Sequence, residues 1–114
     1  APTPETVAAV EAAAGALGGA VEASHPGGGH ELTIDVWRSY GDMSAAELYD
    51  ILRRWDRYRA EMLAWLEDYD LVVCPVFPEP ARRHGDMNRA GAMDPTSYTT
   101  PYSLTGWPAA TVRL

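Results

Sequence analysis

The stretch SAAELYDILRRWDRYRAEMLAWLEDYDLVVCP, residues 44–75, joins a helix-period pattern to a short, continuous apolar run. Its opening, Ser44-Ala45-Ala46-Glu47, has the spacing of a capping box, in which a hydroxyl and a carboxylate three residues apart satisfy each other's free backbone donors. Leu48, Ile51, Leu52, Trp55, Tyr58, Met62, Leu63 and Leu66 recur at helical spacing, which predicts one long amphipathic helix over about 45–67. The other face carries Asp50, Arg53, Arg54, Asp56, Arg57 and Glu61. Asp50–Arg54 and Arg57–Glu61 stand four residues apart, a spacing worth about 0.2–0.5 kcal/mol per pair, and the mixed signs read as a solvated face. Leu71-Val72-Val73-Cys74, bounded by Asp70 and Pro75, reads instead as a strand buried on both faces. Together these predict an α/β fold: a fragment of a large mixed sheet flanked by helices.

Upstream, Thr3 as cap, Pro4 at the first helical position and Glu5 at the positive end of the dipole start a helix. Its narrow apolar stripe is Val7, Val10, Ala14 and Leu17, and Gly18-Gly19 ends it. Ala20 to Ser24, with Val21 as its strong strand former, suits one strand. His25-Pro26-Gly27-Gly28-Gly29-His30 reads as a flexible connection, and Trp37 and Tyr40 as part of a short helical segment closing at Gly41. Downstream, Pro75, Pro78, Pro80, Pro95, Pro101 and Pro108 break the chain into a mostly irregular stretch, after which Ala109 to Leu114 turns apolar like the start of a strand. So long a structureless connection is uncommon within a compact domain, and two distant strands make no sheet with protected edges. The expectation is that residues 1–114 are one segment of a larger domain. Strand edges at Leu71–Cys74 and Ala109–Arg113 would then favour self-association, most simply a two-fold dimer.

Composition narrows the function classes. A length of 114 residues allows one domain at most. Sixteen acidic against nine basic residues give a net charge of −7, which argues against a nucleic-acid groove. No apolar run reaches the roughly 18 residues of a membrane span, so no membrane partner is expected. The lone cysteine, Cys74, makes no internal disulfide, which points to the cytoplasm. All nine basic residues are arginines, so no lysine-based mechanism is open to these residues.

Taken alone, the reactive side chains name no reaction. Cys74 with His25, His30 or His84 as base would make a nucleophile, but its place in an apolar run disfavours the thiolate and reads as an inert buried thiol. The histidines and Cys74 match no zinc-ligand spacing, so no metal and no cofactor is expected. Gly27-Gly28-Gly29 lacks the Lys and Ser or Thr of a phosphate loop and reads as a linker. Trp37, Trp55 and Trp65 fall on helical stripes and read as core.

Two stretches say more. Asp70-Leu71-Val72-Val73-Cys74-Pro75-Val76-Phe77-Pro78-Glu79-Pro80-Ala81 resembles a segment of the amidase signature hydrolases, where an acid, a strand and a Pro-x-x-Pro-x-x-Ala turn follow each other. Tyr98-Thr99-Thr100-Pro101-Tyr102-Ser103-Leu104-Thr105-Gly106-Trp107-Pro108-Ala109-Ala110-Thr111-Val112 is similar to a later segment of that family, in which a Tyr-Thr pair precedes Asn-Leu-Thr-Gly-x-Pro-Ala and a strand. Ser103 stands where the family more often has Asn. Order and gap also fit, and Pro2 to Pro26 resembles the family's preceding helix and Val-Glu-x-x-x-Pro strand.

The resemblance implies an enzyme that cleaves carboxamide C–N bonds with a serine nucleophile, a second serine relaying the proton to a lysine, and loop amides holding the oxyanion. The implied place of this chain is the C-terminal part of the catalytic domain. It has neither a Gly-Ser-Ser-Gly loop nor a lysine, and Ser24, Ser39, Ser44, Ser97 and Ser103 are isolated, so no catalytic residue is assigned. Phe77, Pro78, Tyr98, Tyr102 and Thr105 are the residues expected to wall a substrate pocket. The implied partners are the remainder of the amidase domain and a small amide. The alternative is a stand-alone, non-enzymatic helical module presenting the apolar face of Leu48 to Leu66 to a partner.

Overall fold

A computed structural model describes residues 2–18, 24–39, 41–80, 84 and 98–112. Among these the regular elements are four helices: α1 (Pro4–Ala16), α2 (Gly29–Arg38), α3 (Ala45–Leu66) and the single turn α4 (Thr100–Ser103). The chain forms two compact units. The first holds Ala1–Ala23, Val72–Thr99 and Pro108–Leu114; the second holds Ser24–Leu71 and Thr100–Trp107.

In the first unit α1 begins as the sequence predicts, with the Thr3 hydroxyl accepting from the Thr6 N–H at 3.3 Å and Pro4 opening the helix. The Thr3 N–H donates to the Pro78 carbonyl at 2.8 Å, which ties the start of α1 to the proline-rich stretch. No residue of α1 is buried, and Val7 and Leu17 of the expected stripe are exposed. An alanine-rich helix is apolar on every side and is held by propensity rather than by one buried face.

The expected α/β fold is overturned: no described residue lies in a strand, and the described architecture is helical. Leu71–Cys74 runs irregularly, with Leu71 exposed and Val72, Val73 and Cys74 half-buried. Ala109 to Val112 is likewise irregular and exposed. β-Branched residues favour an extended backbone, but a strand exists only when a neighbour completes its hydrogen-bond ladder, and neither run has one among the described residues. The strand edges expected to drive dimerisation are therefore absent from the described residues. Ala20–Ala23, the body of the remaining expected strand, lies outside them.

The second unit is built on α3. Its capping box forms as predicted: the Ser44 N–H donates to Glu47 Oε2 at 2.8 Å and the Glu47 N–H to the Ser44 hydroxyl at 3.3 Å. The Ser44 hydroxyl, donating to Glu47 Oε2 at 2.6 Å, and then the Ser44 N–H hold the Glu47 carboxyl below its usual value, so this support of the first turn is present at neutral pH and lost as pH falls through that lowered pKa. The anticipated pairs along α3 do not form. Arg54 reaches across to Asp35 of α2 at 2.8 Å, and Arg57 makes no ion pair among the described residues. A partner on a neighbouring helix offers Arg54 a fixed acceptor, whereas a pair along the helix surface gains too little to hold its geometry.

Leu32 of α2, Ile51, Tyr58 and Met62 of α3 and Leu104 after α4 form the core, flanked by Val36, Met43, Trp55, Tyr102 and Trp107. Met62 is fully buried. Leu48, Leu52 and Leu63 of the expected stripe are exposed, and so is Trp37, which the sequence placed in the core. The Trp55 indole N–H donates to the Leu104 carbonyl at 2.6 Å, joining α3 to the turn after α4. That turn closes through the Leu104 N–H to the Pro101 carbonyl and through Gly106 at φ 73°, a left-handed conformation that favours glycine.

Gly27-Gly28-Gly29 is more than a linker, because α2 starts inside it. Gly28 caps the helix at φ 89° and Gly29 is its first residue. A Cβ on Gly29 would meet Tyr58 Cζ at 2.6 Å and Pro101 Cβ at 2.9 Å, so glycine is what lets three elements close together. Gly15 in α1 has nothing within 4 Å of the same position. Gly29→Ala is expected to cost about 1–3 kcal/mol by overpacking. Gly15→Ala is expected to stabilise α1 by about 0.5–1 kcal/mol. All four tryptophans lie in the second unit, so its urea midpoint is read from their fluorescence and total helix from far-UV circular dichroism. An unchanged fluorescence midpoint in Gly29→Ala would contradict this account of the packing.

Candidate functional site

Among the described residues of the second unit, a groove lies at the head of α2. Its volume is about 260 Å³. Gly27 and Gly28 form one lip, Leu32 of α2 lies beside them, and α3 supplies Arg54, Arg57, Tyr58 and Glu61. Those four α3 residues are spaced i, i+3, i+4 and i+7, which puts them on one side of the helix. Arg54 is steadied by Asp35. Tyr58 is 4% exposed, and its hydroxyl has no hydrogen-bond partner. Burial pushes the Tyr58 phenol pKa up, so it stays a neutral donor at physiological pH. His30 Nδ1, in the first turn of α2, is also buried without a partner. Deep Thr33 is satisfied: its hydroxyl donates to the Gly29 carbonyl at 2.8 Å.

The five residues expected to wall a pocket divide between the two units: Phe77, Pro78 and Tyr98 belong to the first, Tyr102 and Thr105 to the second. Pro78 is buried; Phe77 and Tyr98 are half-buried. Thr105 is buried and committed to its own turn, donating to the Tyr102 carbonyl at 2.7 Å and accepting from the Trp107 N–H at 3.2 Å. Tyr102 meets the His25 ring edge-on at a centroid separation of 5.5 Å, and His25 in turn meets Trp65 at 6.2 Å. The serines are dispersed. Ser39 donates to the Val36 carbonyl, Ser44 caps α3, Ser24 and Ser103 are exposed, and Ser97 lies outside the described residues. Among the described residues no three His, Cys, Asp or Glu side chains gather as metal ligands, and no helix is long and apolar enough to cross a membrane.

Sequence reasoning passed over the groove because each part had an ordinary reading. Arg54, Arg57 and Glu61 looked like a solvated face, Tyr58 like core and the glycines like a linker. The usable signal was the i, i+3, i+4, i+7 run of Arg, Arg, Tyr and Glu on one helix.

The model of the family described as Amidase matches residues 31–114. The match takes in most of α2, all of α3 and both motif stretches at 70–81 and 98–112, and leaves α1 and Gly27–His30 outside. No curated protein and no solved structure matches the chain.

Cys74 sits half-buried in the first unit, and burial pushes its thiol pKa up. The thiolate is disfavoured, as the sequence suggested. Because the folded pKa is raised, the protonated thiol is the compatible form, and stability falls as pH rises above the unfolded thiol's pKa. Alkylation of Cys74 by iodoacetamide at pH 7.5 is expected to be slower than that of a free thiol and to speed up on adding urea. Labelling as fast as glutathione in the native protein would mean an exposed or activated thiol.

Proposed function

The chain belongs to the amidase family, and from that premise we propose that it is part of an enzyme hydrolysing carboxamide C–N bonds with a serine nucleophile. In this reading the chain contributes scaffold and pocket wall, and the reacting groups come from the remainder of the amidase domain. The family match over residues 31–114 carries the reading. What supports a non-catalytic role is the chemistry that the reaction needs. A hydroxyl attacks an amide only once a base takes its proton, and the tetrahedral anion needs preorganised donors. These residues include no lysine and no adjacent serines, and Ser39 and Ser44 already serve helix ends. Phe77, Pro78, Tyr98, Tyr102 and Thr105 are proposed as pocket wall, with a small amide as substrate and no cofactor.

A second reading has one observation in its favour. Leu48, Leu52 and Leu63 are exposed on α3, which suits a helical module that docks a partner. Amide turnover separates the two. Purified 1–114 is expected to release no product from aryl or aliphatic amides, and the full reading frame containing it is expected to release carboxylate and amine, with a serine-directed phosphonate stopping the reaction. Turnover by 1–114 alone, blocked by the phosphonate, would overturn the scaffold role. An inactive full-length protein would favour the docking module.

A further inference from the structure

We propose that α3 pairs antiparallel with α3 of a second copy of this chain, through the stripe Tyr49, Leu52, Asp56, Arg59, Leu63 and Leu66. The stripe runs beside the side of α3 that packs in the core. Its members alternate spacings of three and four residues, the repeat with which two helices pair along a seam. Tyr49 is 65% exposed, Leu52 47% and Leu63 57%, and Leu66 is half-buried. Asp56 and Arg59 stand exposed at the middle of the stripe and make no ion pair among the described residues. Arg59 Nη2 lies 3.8 Å from the place a Cβ on Gly106 would take, so the turn after α4 borders the stripe there.

The order of residues names the occupant, because the stripe read from its other end is its own complement. With the second helix antiparallel, Leu52 faces the partner's Leu63, Tyr49 the partner's Leu66 and Asp56 the partner's Arg59, and each pair occurs twice about the two-fold axis. Parallel helices in register would instead set Asp56 against Asp56 and Arg59 against Arg59, like charges within the contact. A polar pair inside an apolar seam fixes orientation at some cost in stability, so the leucines supply attraction and the charges choose the antiparallel register. Each copy carries a net charge of −7, which opposes association at long range and leaves the match to this local complement. Tyr49 to Leu66 spans about 25 Å of helix, a small contact of the kind that forms and dissociates readily. None of the proposed pocket-wall residues belongs to the stripe, so the pairing goes beyond the amidase reading and its test does not depend on amide turnover.

Sedimentation equilibrium of 1–114 from micromolar to millimolar concentration tests the pairing, with the full reading frame run beside it. Both are expected to pass from monomer to dimer. Asp56→Arg and Arg59→Asp are each expected to weaken the dimer about tenfold, because each sets like charges face to face. An equimolar mixture of the two variants is expected to restore it as a heterodimer. Neither side chain has an ion-pair partner in its own copy among the described residues, so both variants are expected to keep the parent's circular dichroism. In a Cys74→Ala background, Leu52→Cys mixed with Leu63→Cys is expected to form a disulfide-linked pair faster than either variant alone. A monomeric mass throughout, a mixture no tighter than its components, or equal cross-linking in the single variants would each overturn the pairing. A monomeric full reading frame beside a dimeric 1–114 would overturn it too, and would give the stripe to the rest of the amidase domain.

Discussion

Everything in the second unit depends on how closely Tyr58 lies to Gly29. The ring fills the space that a Cβ would take, and Pro101 of α4 closes the same space from the other side. One residue without a side chain therefore lets α2, α3 and α4 meet. The rest follows from that approach: Thr33 is brought near the Thr100 carbonyl, Trp55 reaches the Leu104 carbonyl, and Arg54 finds Asp35 across the helices. The core is small, with Leu32, Ile51, Met62 and Leu104 around Tyr58, so close backbone approach makes up for limited apolar area. The same closeness leaves the Tyr58 hydroxyl facing glycine, which offers it no side-chain partner.

Local signals were the ones that could be read from the sequence. The Thr3 cap and Pro4 start of α1, the Ser44–Glu47 box and the length of α3 all came out as predicted, because each rests on groups within one helical turn. What the periodicity of α3 could not tell was how many of its apolar residues find a neighbour. Ile51, Tyr58 and Met62 do; Leu48, Leu52 and Leu63 do not. A stripe states which side prefers burial, and only the position of α2 and α4 decides how wide a strip is covered. The same limit hid Arg54–Asp35, a pair between residues nineteen apart in the chain. The start of α2 was missed for a related reason: a glycine run weakens every propensity signal, and its role at Gly29 is set by Tyr58, far downstream.

The sheet failed on a different kind of inference. Leu71-Val72-Val73-Cys74 has the composition of a buried strand, and half of its message holds, since Val72, Val73 and Cys74 are half-buried and Cys74 is shifted by burial. Composition speaks to surroundings and backbone preference. Pairing is a statement about a second segment, and the described residues contain none that completes a ladder.

Family membership and local geometry therefore speak to different levels of this molecule. The match over residues 31–114 says which kind of chemistry the chain is related to. The contacts say what its side chains already do. Thr105 is fully engaged in holding a turn, and Tyr102 packs on His25, so any part they take in a pocket is as fixed wall rather than as moving reactive groups. Ser39 and Ser44 serve helix ends, and burial disfavours the Cys74 thiolate. Among the described residues, the buried side-chain atoms left without a partner are the Tyr58 hydroxyl, packed against Gly29, and His30 Nδ1. A covered donor of this kind is a cost carried by the close approach of α2, α3 and α4, since the packing that buries the Tyr58 ring also shuts its hydroxyl away from water.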